Sequence, residues 1–211
     1  MHLSLLDFVF PRRSLTGIEG TWITPEERIR LTSFPVCIEG QQLRRLGLTA
    51  IDRIVTGTTY RDCPVLHEAI HRFKYGHTLA LAPELRRILT YACDLFLRGK
   101  NPVLCPVPLH WTRLCARGFN QAALLADDLA HRWRVEQLLR RVRPTGSQAR
   151  RGREERRRAL TDAFRCIVPS PPPFVLLVDD VSTTGTTFDE CAKALKIAGV
   201  QRVEGVAVAH G

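Results

Sequence analysis

The chain lacks what would carry it into or across a membrane. Its longest apolar stretches fall far short of the roughly 18–20 residues that a spanning helix needs. The opening Met-His-Leu-Ser-Leu-Leu-Asp-Phe has no basic segment ahead of a long apolar run. A soluble cytoplasmic protein with no membrane span is therefore expected. Cysteine is present but unorganised: the seven residues 37, 63, 93, 105, 115, 166 and 191 are odd in number and scattered, with no Cys-x-x-Cys. That excludes both a disulfide framework and a zinc-ligand spacing, and reduced thiols among apolar neighbours are the reading. No Gly-Lys-Ser/Thr loop occurs, so hydrolysis of ATP on a Walker-type loop is excluded. No Ser-His-Asp or Cys-His set stands out either.

Acid is also scarce. The 31 Lys and Arg against 21 Asp and Glu leave a net charge of +10. The excess is uneven, for residues 140–158 hold nine arginines and two glutamates. Such a run is commonly a solvated face, but the planar guanidinium fork suits phosphate, and an anionic partner is the reasonable inference. At 211 residues the chain fits one domain with a small appendage.

From residue 61 onward, apolar runs alternate with amphipathic segments, the pattern of a parallel α/β sheet. Helices are predicted over 64–73, 83–97, 119–133 and 187–198, and strands over 102–107, 138–142, 174–178 and 203–209. Residues 143–153 carry Pro, Gly, Ser and Gln and read as a loop, with a possible helix over 154–160. Residues 1–60 show no repeat and no strong period, and are expected to form a partly extended N-terminal appendage. His67 and His71 stand four apart without a third ligand in sight, so a solvated helix face is favoured over a metal site.

The most informative stretch is residues 174–188, Phe-Val-Leu-Leu-Val-Asp-Asp-Val-Ser-Thr-Thr-Gly-Thr-Thr-Phe. An apolar run reads as a strand buried on both faces. It ends in Asp179 and Asp180 and passes through a hydroxyl- and glycine-rich turn into a helix. The plain alternative is a turn capped by Ser182 or Thr183 with solvated acids. Two adjacent carboxylates beside a helix start make more sense with a ligand that brings hydroxyls or a metal to the acids and a phosphate to the turn.

This stretch resembles the ribose-5-phosphate-binding motif of the type I phosphoribosyltransferases. The resemblance implies a parallel sheet with flanking helices and the ligand 5-phosphoribosyl-1-pyrophosphate (PRPP) with Mg²⁺. Asp179 and Asp180 would be the catalytic pair, facing the ribose hydroxyls directly or through waters around the metal. Ser182, Thr183, Thr184, Gly185, Thr186 and Thr187 would surround the 5′-phosphate, with Gly185 letting the backbone come close. Other segments narrow the resemblance to ComF-type proteins. They are Phe10-Pro11-Arg12-Arg13, Phe73-Lys74-Tyr75-Gly76, Pro106-Val107-Pro108, Arg117-Gly118-Phe119-Asn120-Gln121, then Arg143, Gln148, Glu155-Arg156 and Ala163-Phe164. The match runs over about residues 60–211, giving an appendage over 1–60 and a phosphoribosyltransferase-like domain over 61–211.

Two departures stand out. Ser14 and Gly17 occupy places where such proteins carry zinc-binding cysteines, so no directly ligated zinc is expected. Ala159 replaces the asparagine usual after Glu-Arg. Arg113 and Arg117, in the segment after Pro108, are candidates to hold pyrophosphate, with a structural ion pair as the alternative for Arg117. Gln148 and Arg156 fall where phosphoribosyltransferases keep a closing hood. Lys74 and Tyr75 are equally well explained as a helix-end cation and a half-buried ring.

Three functions follow from the resemblance and the charge. One is a ComF-class phosphoribosyltransferase connected with natural transformation. Another is a binding protein for PRPP sensing or single-stranded DNA, with residues 140–158 on phosphates and Trp111 or Phe119 stacking on bases. The last is a nucleobase salvage enzyme.

Overall fold

Strands covered on both faces need apolar side chains at every position, and the run from Val175 to Val178 has them, all four buried. The computed structural model describes residues 12–75, 78–143 and 160–211. Its strands are β1 (Val36–Glu39), β2 (Arg53–Thr59), β3 (Val103–Pro106), β4 (Leu139–Arg141), β5 (Phe164–Cys166), β6 (Phe174–Ser182) and β7 (Arg202–His210). Its helices are α1 (Pro25–Arg30), α2 (Gln41–Arg45), α3 (Val65–Tyr75), α4 (Ala82–Phe96), α5 (Trp111–Arg117), α6 (Gln121–Asp127) and α7 (Thr186–Ile197).

Five strands form the central sheet in the order β1-β2-β7-β6-β3, and β4 pairs with β5 in a separate ribbon. Strands β2, β7, β6 and β3 are parallel, while β1 closes one edge antiparallel. This mostly parallel sheet flanked by helices is the α/β class expected, and it is consistent with the type I phosphoribosyltransferase-like fold.

Side chains alternate across the sheet into two cores. Leu176 and Val178 join Val55, Val206 and Val208 beneath α3 and α4. Val175 and Leu177 join Ile54, Val203 and Ala207 beneath α7 and the ribbon. Burying each such side chain stabilises by about 1.5–3 kcal/mol, so β6 is held from both sides. Helix α7 comes close because β7 has Gly205 below it. A Cβ there would stand 2.8 Å from the Phe188 ring.

Four differences from the sequence reading have physical causes. Strand β6 continues through both aspartates to Ser182, because β7 stays alongside and pairs Asp179 with Ala207 and Ser182 with His210. Helix α6 stops at Asp127, short of the expected 133, since Leu129 and Ala130 donate to carbonyls three residues back, at Ala126 and Asp127. The strand expected over 138–142 forms as β4, but in the ribbon rather than the sheet. Residues 36–59, assigned by sequence to the appendage, supply β1 and β2, so the expected boundary at residue 60 falls at the end of a sheet strand. Of the loop expected over 143–153 and the helix expected over 154–160, residues 144–159 lie outside the described residues.

Ahead of β1, the chain is gathered around one buried carboxylate. Glu27 accepts from the Ser14 hydroxyl (2.8 Å), the Thr16 amide and hydroxyl (both 2.6 Å) and the Thr24 amide (2.8 Å). The Glu27 amide in turn donates to the Thr24 hydroxyl, completing a capping box on α1. Among the described residues no group of three or more His, Cys, Asp or Glu is placed to hold a metal ion. Nor is any helix among them long and apolar enough to cross a membrane.

Candidate functional site

The carboxyl ends of parallel strands are where open α/β sheets place ligands, and here β6 delivers its two aspartates to that edge. The turn that follows reaches α7 through Gly185, whose φ of +73° is left-handed and which supplies no side-chain cap. Thr184 and Thr186 bond to each other through their hydroxyls (2.8 Å). Asp179 and residues 181–188 line a depression that opens to solvent. Amides at a helix start point outward and the dipole favours an anion, so the hydroxyl-rich depression suits a phosphate monoester.

Gly185 has a different reason from the one expected. A Cβ there would lie 2.6 Å from Leu48 Cδ1 and 2.8 Å from Ile54 Cδ1. The missing side chain makes room for the core beneath the turn, not for a ligand above it.

The acids are not alone. Lys74, from the last turn of α3, places its Nζ 2.9 Å from Asp180 Oδ1. Asp179 Oδ1 accepts the Asp180 amide at 2.8 Å. Burial, and next the Asp180 charge, push the Asp179 carboxyl up to about 7, against the pull of Lys74 and Arg141. Burial lowers Arg113, helped by neighbouring Arg117, while Tyr75 and Asp179 oppose it. Burial and the Arg113 charge bring Arg141 down to about 10, and Asp179 draws it back. Burial and the Asp180 charge push the Tyr60 hydroxyl up. Asp179 thus lies within the electrostatic reach of guanidiniums from α5 and β4, and Asp180 holds an ammonium from α3.

Not every expected residue arrives at this cleft. Arg117 donates to Gln121 Oε1 (3.0 Å) and to the Tyr75 hydroxyl (3.1 Å), and its guanidinium lies 4.9 Å from the Tyr75 ring centre. It braces the rim. In the same motif Phe119 packs on Phe73 with ring centres 5.8 Å apart. Asn120 caps α6 and donates to the Val107 carbonyl. Arg-Gly-Phe-Asn-Gln is therefore largely scaffold, tying the loop after β3 to α6. Gln148 and Arg156 lie outside the described residues.

Three participants were not singled out from sequence: Arg141, Tyr60 and Asp189. Asp189 Oδ1 accepts the amides of Thr49 (2.9 Å), Ala50 (2.7 Å) and Ile51 (3.1 Å), clamping the chain before β2 to the first turn of α7. A signal was available for Asp189 alone, since a buried acid in a helix's first turn needs donors.

No family model matches the chain. It is 36% identical over 146 residues to competence protein F of Haemophilus influenzae, a match spanning 64% of this chain and 63% of that protein. It is 34% identical over 160 residues to DNA utilization protein YhgH of Salmonella typhi, covering 72% of this chain and 69% of that protein. The YhgH protein of Escherichia coli K12 is likewise 34% identical, over 161 residues.

Proposed function

This chain belongs to the ComF family, with competence protein F and the YhgH DNA utilization proteins, and from that premise we propose that it binds PRPP with Mg²⁺ at the β6–α7 turn and serves in DNA uptake or use. The observation that carries the reading is the pairing of Asp179 and Asp180 with the uncapped start of α7 beside a hydroxyl-lined depression. A ribose 5-phosphate has hydroxyl donors at one end and a dianion at the other. Carboxylates accept the first, and helix amides with threonine hydroxyls take the second.

The donor set also fits the metal. Two carboxylates are too few to cage Mg²⁺, but that ion keeps several waters and is commonly bound through one or two carboxylates plus substrate phosphates. When bound, it would offset the charge of the leaving pyrophosphate. The chain's own part is to hold the ribose so that C1 faces an incoming nucleophile. A bond from that nucleophile to C1 forms as the C1–oxygen bond breaks, and pyrophosphate leaves with the electron pair. Arg113, half-buried after β3, would meet that departing charge. Such a displacement relies on positioning and charge stabilisation rather than on a side-chain nucleophile.

Calorimetry with PRPP and Mg²⁺ tests the proposal. The wild-type chain is expected to bind, and Asp179→Asn/Asp180→Asn to lose most of that binding. A wild-type chain that gives no heat with PRPP and Mg²⁺ ends it.

A second reading, single-stranded DNA binding without turnover, has its own support. Trp111 is 67% exposed with exposed Leu114 one turn along α5, and the exposed Tyr75 ring lies against Arg117. Aromatic rings interleaved with guanidiniums suit stacked bases and phosphates. Phe119, the other ring expected to stack, is half-buried and packs on Phe73 against the core.

A further inference from the structure

Two adjacent carboxylates held together in a largely desolvated place cannot both stay ionised without a counter-charge. Nucleotide sites usually meet that need with a divalent metal. Here a side chain already does so. The Lys74 ammonium sits 2.9 Å from Asp180 Oδ1, with the lysine side chain 20% exposed and the aspartate 7%. It comes from α3, an element separate from the β6–α7 unit. The contact engages one oxygen of Asp180, and the Asp180 amide engages Oδ1 of Asp179. Asp179 lines the depression, and Asp180, its neighbour on β6, is the one that Lys74 holds.

We infer that Lys74 is the resident counter-ion of the diol-binding carboxylate, so that ribose 5-phosphate monoesters bind this site without a divalent metal. The inference rests on the reading that the β6–α7 turn is a phosphoribosyl site. Lys74 acts through Asp180 and is a positioning residue: its ammonium holds the carboxylate in place, and charge-assisted bonds to the diol follow. The 5′-phosphate needs no metal because α7 and the threonine hydroxyls receive it. Mg²⁺ becomes necessary when a pyrophosphate is carried at C1 and adds its own negative charge. Without Lys74, a divalent ion must replace the ammonium before the diol can bind.

The test is calorimetry on the full chain at pH 8 with ribose 5-phosphate, once in EDTA and once in Mg²⁺, beside PRPP with Mg²⁺. Wild type is expected to bind ribose 5-phosphate equally in both buffers. Lys74→Ala should bind at least about tenfold more weakly in EDTA and recover when Mg²⁺ is added. Lys74→Arg should remain metal-independent. Lys74→Met keeps the aliphatic stem and should behave as Lys74→Ala, which separates lost charge from lost packing. Thermal melts check that each variant is folded, and the methionine variant decides if the alanine variant is not. If wild type binds PRPP with Mg²⁺ but takes ribose 5-phosphate only when Mg²⁺ is present, the inference falls and the phosphoribosyl site stands. Unchanged affinity of the folded neutral variants in EDTA overturns it equally. If wild type binds neither ligand, both fall.

Discussion

Asp179 holds two opposed demands in one side chain. In the unfolded chain its carboxyl would titrate near 3.8, whereas in the fold burial and the Asp180 charge carry it to about 7. Between those values the folded protein keeps a proton that the unfolded chain has released. Stability therefore falls as pH rises through that window and levels off above it. Asp179→Asn removes this cost. Its melting temperature at pH 7.5 should exceed that of wild type, by about 2–4 °C for each kcal/mol relieved, while PRPP binding is lost. Affinity for PRPP with Mg²⁺ should rise between pH 6 and pH 8 as Asp179 ionises. A profile flat across that range would mean that Asp179 does not meet the ligand as a carboxylate.

The turn into α7 is fixed from below as firmly as it is shaped for a ligand above. Gly185 combines a left-handed φ of +73° with a Cβ position 2.6 Å from Leu48. A side chain there costs about 1–2 kcal/mol in backbone strain and about 1–3 kcal/mol in overpacking. Gly185→Ala should lose roughly 2–5 kcal/mol in urea unfolding. A loss under about 1 kcal/mol would show that the core beneath yields easily. Helix α1 depends on a single acid in the same manner. Burial alone would raise Glu27, but the bonds from Thr16, Thr24 and Ser14 outweigh it and hold the carboxyl at about 2, against an ordinary 4.5. The resulting stability, roughly 3 kcal/mol, is complete above 4.5 and fades as pH falls toward 2. Glu27→Gln should trail wild type by about that amount at pH 7, and the two should converge near pH 2. A gap that persists in acid would point to shape rather than charge.

Seen across the sheet, charge is sorted by end. The amino ends of β2 and β7 are closed by Glu204, 1% exposed and bonded to Arg53 and Arg202. The carboxyl ends gather the aspartates, Lys74, Arg113 and Arg141, with Trp111, Leu114 and Tyr75 exposed alongside. If a single DNA strand follows this edge, its affinity should fall steeply with salt. Trp111→Ala should weaken binding at every salt concentration. Neutralising Arg117 should flatten the slope of log K against log salt by about 0.7. Neutralising several arginines within residues 150–158 should flatten it further. Negligible oligonucleotide binding at moderate salt removes the DNA reading and leaves the PRPP proposal untouched.

The strand, the acid pair, the turn and α7 were legible in one contiguous string, because their physics is local. Apolar periodicity, an unpaired carboxylate and a glycine in a tight turn act on near neighbours in the chain. The parallel class followed from the alternation of elements for the same cause. Lys74 was ambiguous because a cation at the end of a helix has a sufficient local explanation, and only the fold, which brings it to Asp180, supplied the distant one. The same holds for Asp189 and the amides of residues 49–51, for β1 and β2 within the sheet, and for Trp111 left exposed while Phe119 packs on Phe73. Such choices depend on which surfaces meet once the layers close, a contest among distant contacts that no run of neighbouring residues encodes.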